Sequence, residues 1–329
     1  MSNISDKPTL GFWGKLRRPF FVLAPMANVT DAAFRRIIAT YGKPDVTYTQ
    51  FVSADGLCSP GRKVLVRDLD YDERERPIVA QLFSSQPERM RQAASLVREL
   101  GFDGVDINMG CPDRNVEKQG AGAALIKTPS LALELIAAAQ DGAQGLPVSV
   151  KTRIGYKENE LDSWLPQLLS TKPAAIIVHA RTRKEMSRVP ARWDVVADAV
   201  RLAAGSGTLL IGNGDVESIT QGKERVAQSG CDGVMLGRAI FGNPWLFSGR
   251  EVTNVDERIR AMVEHATLFE ELLGDIKPFH IMKKHFKSYL GTFPGVRDLR
   301  AELMRSSNAA DVKRIIIAWK EIHTAATYE

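Results

Sequence analysis

Gly104-Val105-Asp106-Ile107-Asn108-Met109-Gly110-Cys111-Pro112 is an apolar, β-branched run that breaks at its end into Asn108, Gly110, Cys111 and Pro112. Pro112 keeps the chain from simply continuing as a strand. Asn108 and Cys111 therefore stand at a strand exit, where barrels and open α/β sheets carry their chemistry. The run Gly120-Ala121-Gly122-Ala123-Ala124 follows at once, and its glycines leave room for backbone to approach a flat ligand. A cysteine beside a turn is most often a small buried residue. The strands around this one argue for more.

Working outward, short apolar runs bounded by Gly, Pro or Asp recur at 20–26, 46–52, 77–83, 104–110, 147–153, 174–180, 208–214 and 233–238. Amphipathic stretches such as 87–100, 130–139, 193–204 and 217–229 lie between them. Eight strands alternating with helices over roughly 230 residues match a (β/α)8 TIM barrel, with a doubly wound sheet as the runner-up. After Arg238 the strand-like runs stop, and 255–273, 278–290 and 311–321 read as helices. The expected organisation is an N-terminal extension at 1–18, a catalytic barrel at 19–249 and a small all-helical C-terminal domain at 250–329.

The chain's 329 residues, 44% hydrophobic and 25% charged, suit a soluble globular protein with a full core. No apolar run reaches the roughly 18 residues of a membrane span. Residues 1–9 are polar and lack a signal-type apolar region; a cytoplasmic, monomeric protein is the expectation. The cysteines Cys58, Cys111 and Cys231 are too widely spaced for a disulfide framework or a metal clip, and the five histidines lack metal spacing, so no metal is expected.

The last residues of the expected strands form a coherent set. They are Pro25, Met26 and Ala27 on the first, Gln81 on the third, Asn108 and Cys111 on the fourth, and Lys151 and Arg153 on the fifth. His179 and Arg181 follow on the sixth, Asn213, Gly214 and Asp215 on the seventh, and Gly237 and Arg238 on the eighth. Polar residues above apolar runs are what an active site at a barrel's C-terminal mouth requires. Glycines on the last two strands suit an anion, with Arg238 as a clamp. A phosphate there, Lys151 and the Gln81 amide together fit a flavin mononucleotide (FMN) better than a sugar phosphate. Gly120-Ala121-Gly122 is no dinucleotide fingerprint. It follows a loop rather than a strand and lacks the third glycine at its place.

These segments resemble the tRNA-dihydrouridine synthase family from about residue 21 to about residue 303. The most specific match is Asp106-Ile107-Asn108-Met109-Gly110-Cys111-Pro112 with the following Gly120–Leu125 run. Leu23-Ala24-Pro25-Met26, Ser149–Gly155, His179-Ala180-Arg181-Thr182, Gly212-Asn213-Gly214-Asp215, Gly233–Arg238 and Lys283-Lys284-His285 support it. The resemblance implies a flavoprotein in which FMN, reduced by NADPH (or NADH), reduces the C5–C6 double bond of a tRNA uridine. Cys111 falls at the family's proton donor. Pro25, Met26, Ala27, Gln81, Lys151, His179, Asn213, Gly214, Asp215, Gly237 and Arg238 fall at FMN positions. Asn108 and Arg153 fall where the family meets the target uridine, and Arg181 is grouped with them.

The net charge of +5 hints at a polyanionic partner. On the 278–290 helix, His280, Lys284 and Lys287 share one face with Lys283 beside it, a candidate phosphate-binding edge for tRNA. Two rivals stand against this reading. An FMN-dependent barrel oxidoreductase acting on a small (dihydro)pyrimidine explains the strand ends but not the basic helix. A non-catalytic tRNA-binding protein explains that helix but has no need of Cys111.

Overall fold

Side chains alternate across each strand, and here the alternation sorts them into a barrel interior and an outer face against helices. The computed structural model describes residues 7–325; positions 1–6 of the expected N-terminal extension and 326–329 of the C-terminal part lie outside the described residues. The strands are β1 (Phe20–Leu23), β2 (Thr47–Tyr48), β3 (Val52–Ser53), β4 (Ile78–Phe83), β5 (Gly104–Met109), β6 (Val148–Arg153), β7 (Ala175–His179), β8 (Leu209–Asn213) and β9 (Gly233–Leu236). They run parallel in the order β1-β9-β8-β7-β6-β5-β4-β2, with β3 also on β4. A parallel bridge between Val22 and Val46 closes the ring, with Leu23 N–H donating to the Val46 carbonyl at 3.0 Å. The architecture is that of a (β/α)8 barrel.

The expected second strand is split. Between β2 and β3 the ladder is carried partly by a side chain: Thr49 N–H bonds the Val79 carbonyl, while its Oγ1 accepts Gln81 N–H at 3.2 Å. A helix at Leu161–Ser170 forms despite Pro166, and the 278–290 helix breaks into a 3-10 turn at Phe279–Met282 followed by Lys283–Leu290.

Inside the barrel the lower layers are apolar (Phe20, Val22, Val79, Ile177, Leu209, Ile211). The upper layers are polar: Gln81, Asp106, Asn108, Ser149, Lys151 and Arg153 come from neighbouring β4, β5 and β6. Outside, Val105, Ile107, Val150 and Ile176 pack against Met90, Leu135, Ile136 and Trp164 of the surrounding helices.

The N-terminal segment has a definite place. Trp13, on the 3-10 turn Gly11–Lys15, is only 2% exposed and joins Phe20, Ala174 and Leu209 as the barrel's floor. Phe12 stacks on it at 4.7 Å between centroids. Trp13→Ala is expected to cost about 3 kcal/mol, since removing a buried aromatic leaves a cavity. An unchanged urea midpoint for that variant would show the floor to be dispensable.

The C-terminal helices do not stand apart from the barrel. Helix Val255–Leu273 packs on helix Ala32–Tyr41, and Phe34, Ile38 and Trp245 share one apolar cluster with Met262, Phe269, Phe286 and Leu290. His265 and His285 are buried at this seam, stacked or tilted against Phe34. Polar ties run along its edge: Tyr41 Oη donates to Glu264 at 2.6 Å, Arg67 pairs with Asp275 at 3.0 Å, and Lys277 pairs with Asp68 at 2.6 Å.

Candidate active site

Asn108 is the last polar residue of β5, and its position in the barrel interior follows from the alternation that also buries Asp106. Its Oδ1 accepts N–H bonds from Gly110 at 3.1 Å and Cys111 at 2.9 Å, so the turn carrying the cysteine is wrapped around this one amide. With Oδ1 committed, Nδ2 donates to Gln81 Oε1 at 3.1 Å. Gln81 Nε2 then donates to Asp106 Oδ2 at 2.7 Å, and Asp106 Oδ1 accepts from Ser149 at 2.6 Å. Each donor–acceptor choice dictates the next, so the amide orientations are determined by the chain of bonds rather than by appearance. Burial pushes the Asp106 carboxyl up to about 6, against the bonds from Ser149 and Gln81 that favour the carboxylate.

Cys111 is part-buried against Phe51, Phe83, Val116 and Ala121. Burial pushes its thiol up, only partly offset by the Asp113 N–H and by the charges of Arg153 and Lys151. It is therefore a neutral S–H at pH 7 rather than a thiolate. Gly122, at φ +62, is needed for the backbone itself: a Cβ there would come within 2.8 Å of the Cys111 carbonyl oxygen. The expected role of that glycine, room for a ligand, is corrected accordingly. It lets the following turn close on the cysteine loop, where Ala123 N–H bonds the Cys111 carbonyl at 3.0 Å.

Beside this loop a cavity of about 670 Å³ opens at the strand ends, within the roughly 300–1,000 Å³ of ordinary ligand sites. Ala24, Pro25, Met26 and Gly237 line it with apolar surface, and Lys151, Arg181 and Arg238 with cations, His179 standing among them. A Cβ on Gly237 would stand 3.6 Å from Ala24 Cβ and 3.8 Å from Met26 Sδ, in space that the cavity now has. Lys151 Nζ donates to Asn213 Oδ1 at 3.2 Å, and Asn213 Nδ2 donates to the Met235 carbonyl at 2.8 Å. Burial, and then Arg153, lowers the Lys151 ammonium to about 8. Burial and the surrounding cations hold His179 well below its ordinary value, so its Nε2 is free to accept from Arg181 at 3.3 Å. Burial opposes ionisation of Asp215, yet the Ala191 N–H and Arg181 hold its carboxyl below the ordinary range. It pairs with both Arg181 and Arg238.

The sequence profile described as Dihydrouridine synthase (Dus) matches residues 22–326. The chain belongs to the dihydrouridine synthase family. It is 40% identical over 314 residues to the Probable tRNA-dihydrouridine synthase 2 of Bacillus subtilis (strain 168), covering 94% of this chain and 96% of that one. It is 38% identical over 311 residues to the Probable tRNA-dihydrouridine synthase of Staphylococcus aureus (strain COL), covering 93% and 94%. Among solved structures, morphinone reductase superposes with a TM-score of 0.55 at 13% identity, over 78% of this chain and 93% of that one, a likeness of fold.

In this dihydrouridine synthase chain the residues expected from sequence fall into separate places. Pro25, Met26, Lys151, His179, Asn213, Gly214, Asp215, Gly237 and Arg238 all line the one cavity, and Arg181, grouped above with the uridine contacts, lines it with them. Gln81 and Asn108 lie buried beside it, in the amide chain. Ala27 is exposed and not among the lining residues. Arg153 is 6% exposed, and its guanidinium donates to the carbonyls of Gly110, Thr182 and Met186 at 2.8, 3.0 and 3.1 Å. Lys283, Lys284 and Lys287 are on the C-terminal helix outside the cavity, with Lys284 Nζ bonded to the Asn28 carbonyl of the loop after β1. Asp106 and Ser149 were missed as supports of Gln81; an acid inside an apolar strand was the available signal. The Arg183–Glu117 pair, which ties the loop after β7 to the short helix Arg114–Lys118, had no local signature.

Proposed function

We propose that this protein is an FMN-dependent oxidoreductase that uses NADPH (or NADH) to reduce the C5–C6 double bond of uridines in tRNA. The observation that carries it is Cys111, kept neutral by burial, with its backbone N–H held by Asn108 and its thiol within range of the charge on Lys151, which lines the cavity. The cavity's donor set fits FMN: Arg181 and Arg238, held by Asp215, would take the phosphate, and the Lys151 ammonium would face the ring's polar edge. When bound, FMN supplies the hydride for carbon 6 of the uridine. Cys111 gives its S–H proton to carbon 5 and is reprotonated from solvent, which completes the addition of two hydrogens. A base in folded tRNA must leave its stack to reach this rim.

In the same reading, barrel residues 19–249 carry the chemistry and the 250–329 helices hold the tRNA, with Lys283 and Lys287 among the contacts. The enzyme works as a cytoplasmic monomer. The test is direct. Purified protein should show flavin absorption that NADPH bleaches, and tRNA from a strain lacking the gene should lose dihydrouridine at defined positions. Protein without flavin, or unchanged tRNA, would overturn the reading. Activity on free uridine nucleotides but not on tRNA would favour a small-molecule oxidoreductase.

A further inference from the structure

Adjoining the cysteine loop is a second cleft, of about 430 Å³, that the chemistry above does not use. Pro112, Asp113 and Arg114 form one wall, and Arg183, Lys184 and Arg188 line the other. Its walls are braced. Arg183 grips Glu117 through Nε and Nη2 and lies over the Tyr156 ring, and the grip clasps the short Arg114–Lys118 helix to the loop after β7. Buried Arg153 bonds the Gly110 carbonyl on one side and the Thr182 and Met186 carbonyls on the other, so one guanidinium holds both walls. Met186 keeps a left-handed φ of +56 in that loop, and Arg183 and Lys184 N–H pin it to the Gly155 and Tyr156 carbonyls at 2.9 Å.

The charges inside are not internally balanced. The side chains of Arg114, Lys184 and Arg188 are exposed and make no hydrogen bond or ion pair among the described residues. Nearby acids are engaged elsewhere: Asp113 accepts the Asn115 and Val116 N–H groups, and Glu185 is held by Arg192 and Thr182 N–H. A braced, solvent-open cleft with unpaired cations on both walls suits phosphate groups. The cations come from two separate segments, Arg114 from the short helix and Lys184 and Arg188 from the loop after β7, which suits phosphates strung along a chain.

We infer that this cleft binds the RNA phosphodiesters that flank the uridine presented to Cys111. The inference rests on the tRNA-reductase reading above. The test replaces Arg114, Lys184 and Arg188 together by Gln in the full chain loaded with FMN, and measures the affinity of an unmodified tRNA transcript as salt is varied. The slope of log affinity against log salt should flatten by about 2, at roughly 0.7 per lost contact to a single strand. The KM for NADPH in flavin reduction should stay at the wild-type value. A wild-type slope in the variant overturns the inference. If the slope holds while the KM for NADPH rises, the cleft serves the nucleotide's phosphate instead. Unaltered flavin content and thermal midpoint exclude misfolding. Failure of the wild-type protein to bind or reduce tRNA would instead sink the parent reading.

Discussion

Replacing Cys111 by alanine is expected to slow dihydrouridine formation by about 10²- to 10⁴-fold, the range that a positioned general acid contributes. FMN content and tRNA affinity should be unchanged, because the cavity is lined by other residues and Asn108 grips the loop through backbone N–H groups. NADPH should still bleach the flavin. Cys111→Ser is the sharper variant, since it keeps the shape and replaces the thiol with a far weaker acid; it should behave like alanine. Dihydrouridine counted per tRNA over time reads the effect, and full yield from Cys111→Ala would remove the acid role. Because burial holds the thiol protonated, the wild-type rate should not depend on ionisation of this group near neutrality.

The second large effect concerns folding. Arg35 and Glu75 form an ion pair at 2.7 Å with both side chains fully buried. Arg35 also donates to the Thr30 carbonyl at 2.8 Å and to the Asp70 carbonyl, and Glu75 Oε1 accepts Asp72 N–H at 2.9 Å. Arg35→Ala strands a carboxylate away from water and is expected to cost about 3–5 kcal/mol. Arg35→Met with Glu75→Leu removes both charges and refills the space, so it should recover most of that loss. Urea or thermal unfolding of Arg35→Met, Glu75→Leu and the double closes the cycle. A double variant as unstable as Arg35→Ala would show that the carbonyl bonds, not the paired charge, hold this region.

Much of the site could be read from strand ends alone. Asn108, Lys151, His179, Asn213 and Gly237 each follow an apolar run by a fixed alternation, and a barrel turns that alternation into a common mouth. What escaped was decided by tertiary partners. Arg153 and Arg181 look alike in sequence, but one meets backbone carbonyls and the other Asp215, and only the packed loops decide which. The break between β2 and β3 depends on Thr49 Oγ1 finding Gln81 N–H across the sheet. Gly122 reads as ligand space until the Cys111 carbonyl is seen beside it. Trp13 has no periodic neighbours, and its partners lie at the starts of strands far along the chain.

The apolar seam between helix Ala32–Tyr41 and helix Val255–Leu273 has a consequence for target choice. Phe34 and Phe286 belong to one packed cluster, and Lys284 is bonded to the loop after β1, so the C-terminal helices cannot swing freely over the barrel mouth. An RNA held on those helices, as proposed above, would meet Cys111 at a set distance, as along a ruler. On that arrangement, changing the target uridine would mean moving the clamp, not rebuilding the chemistry.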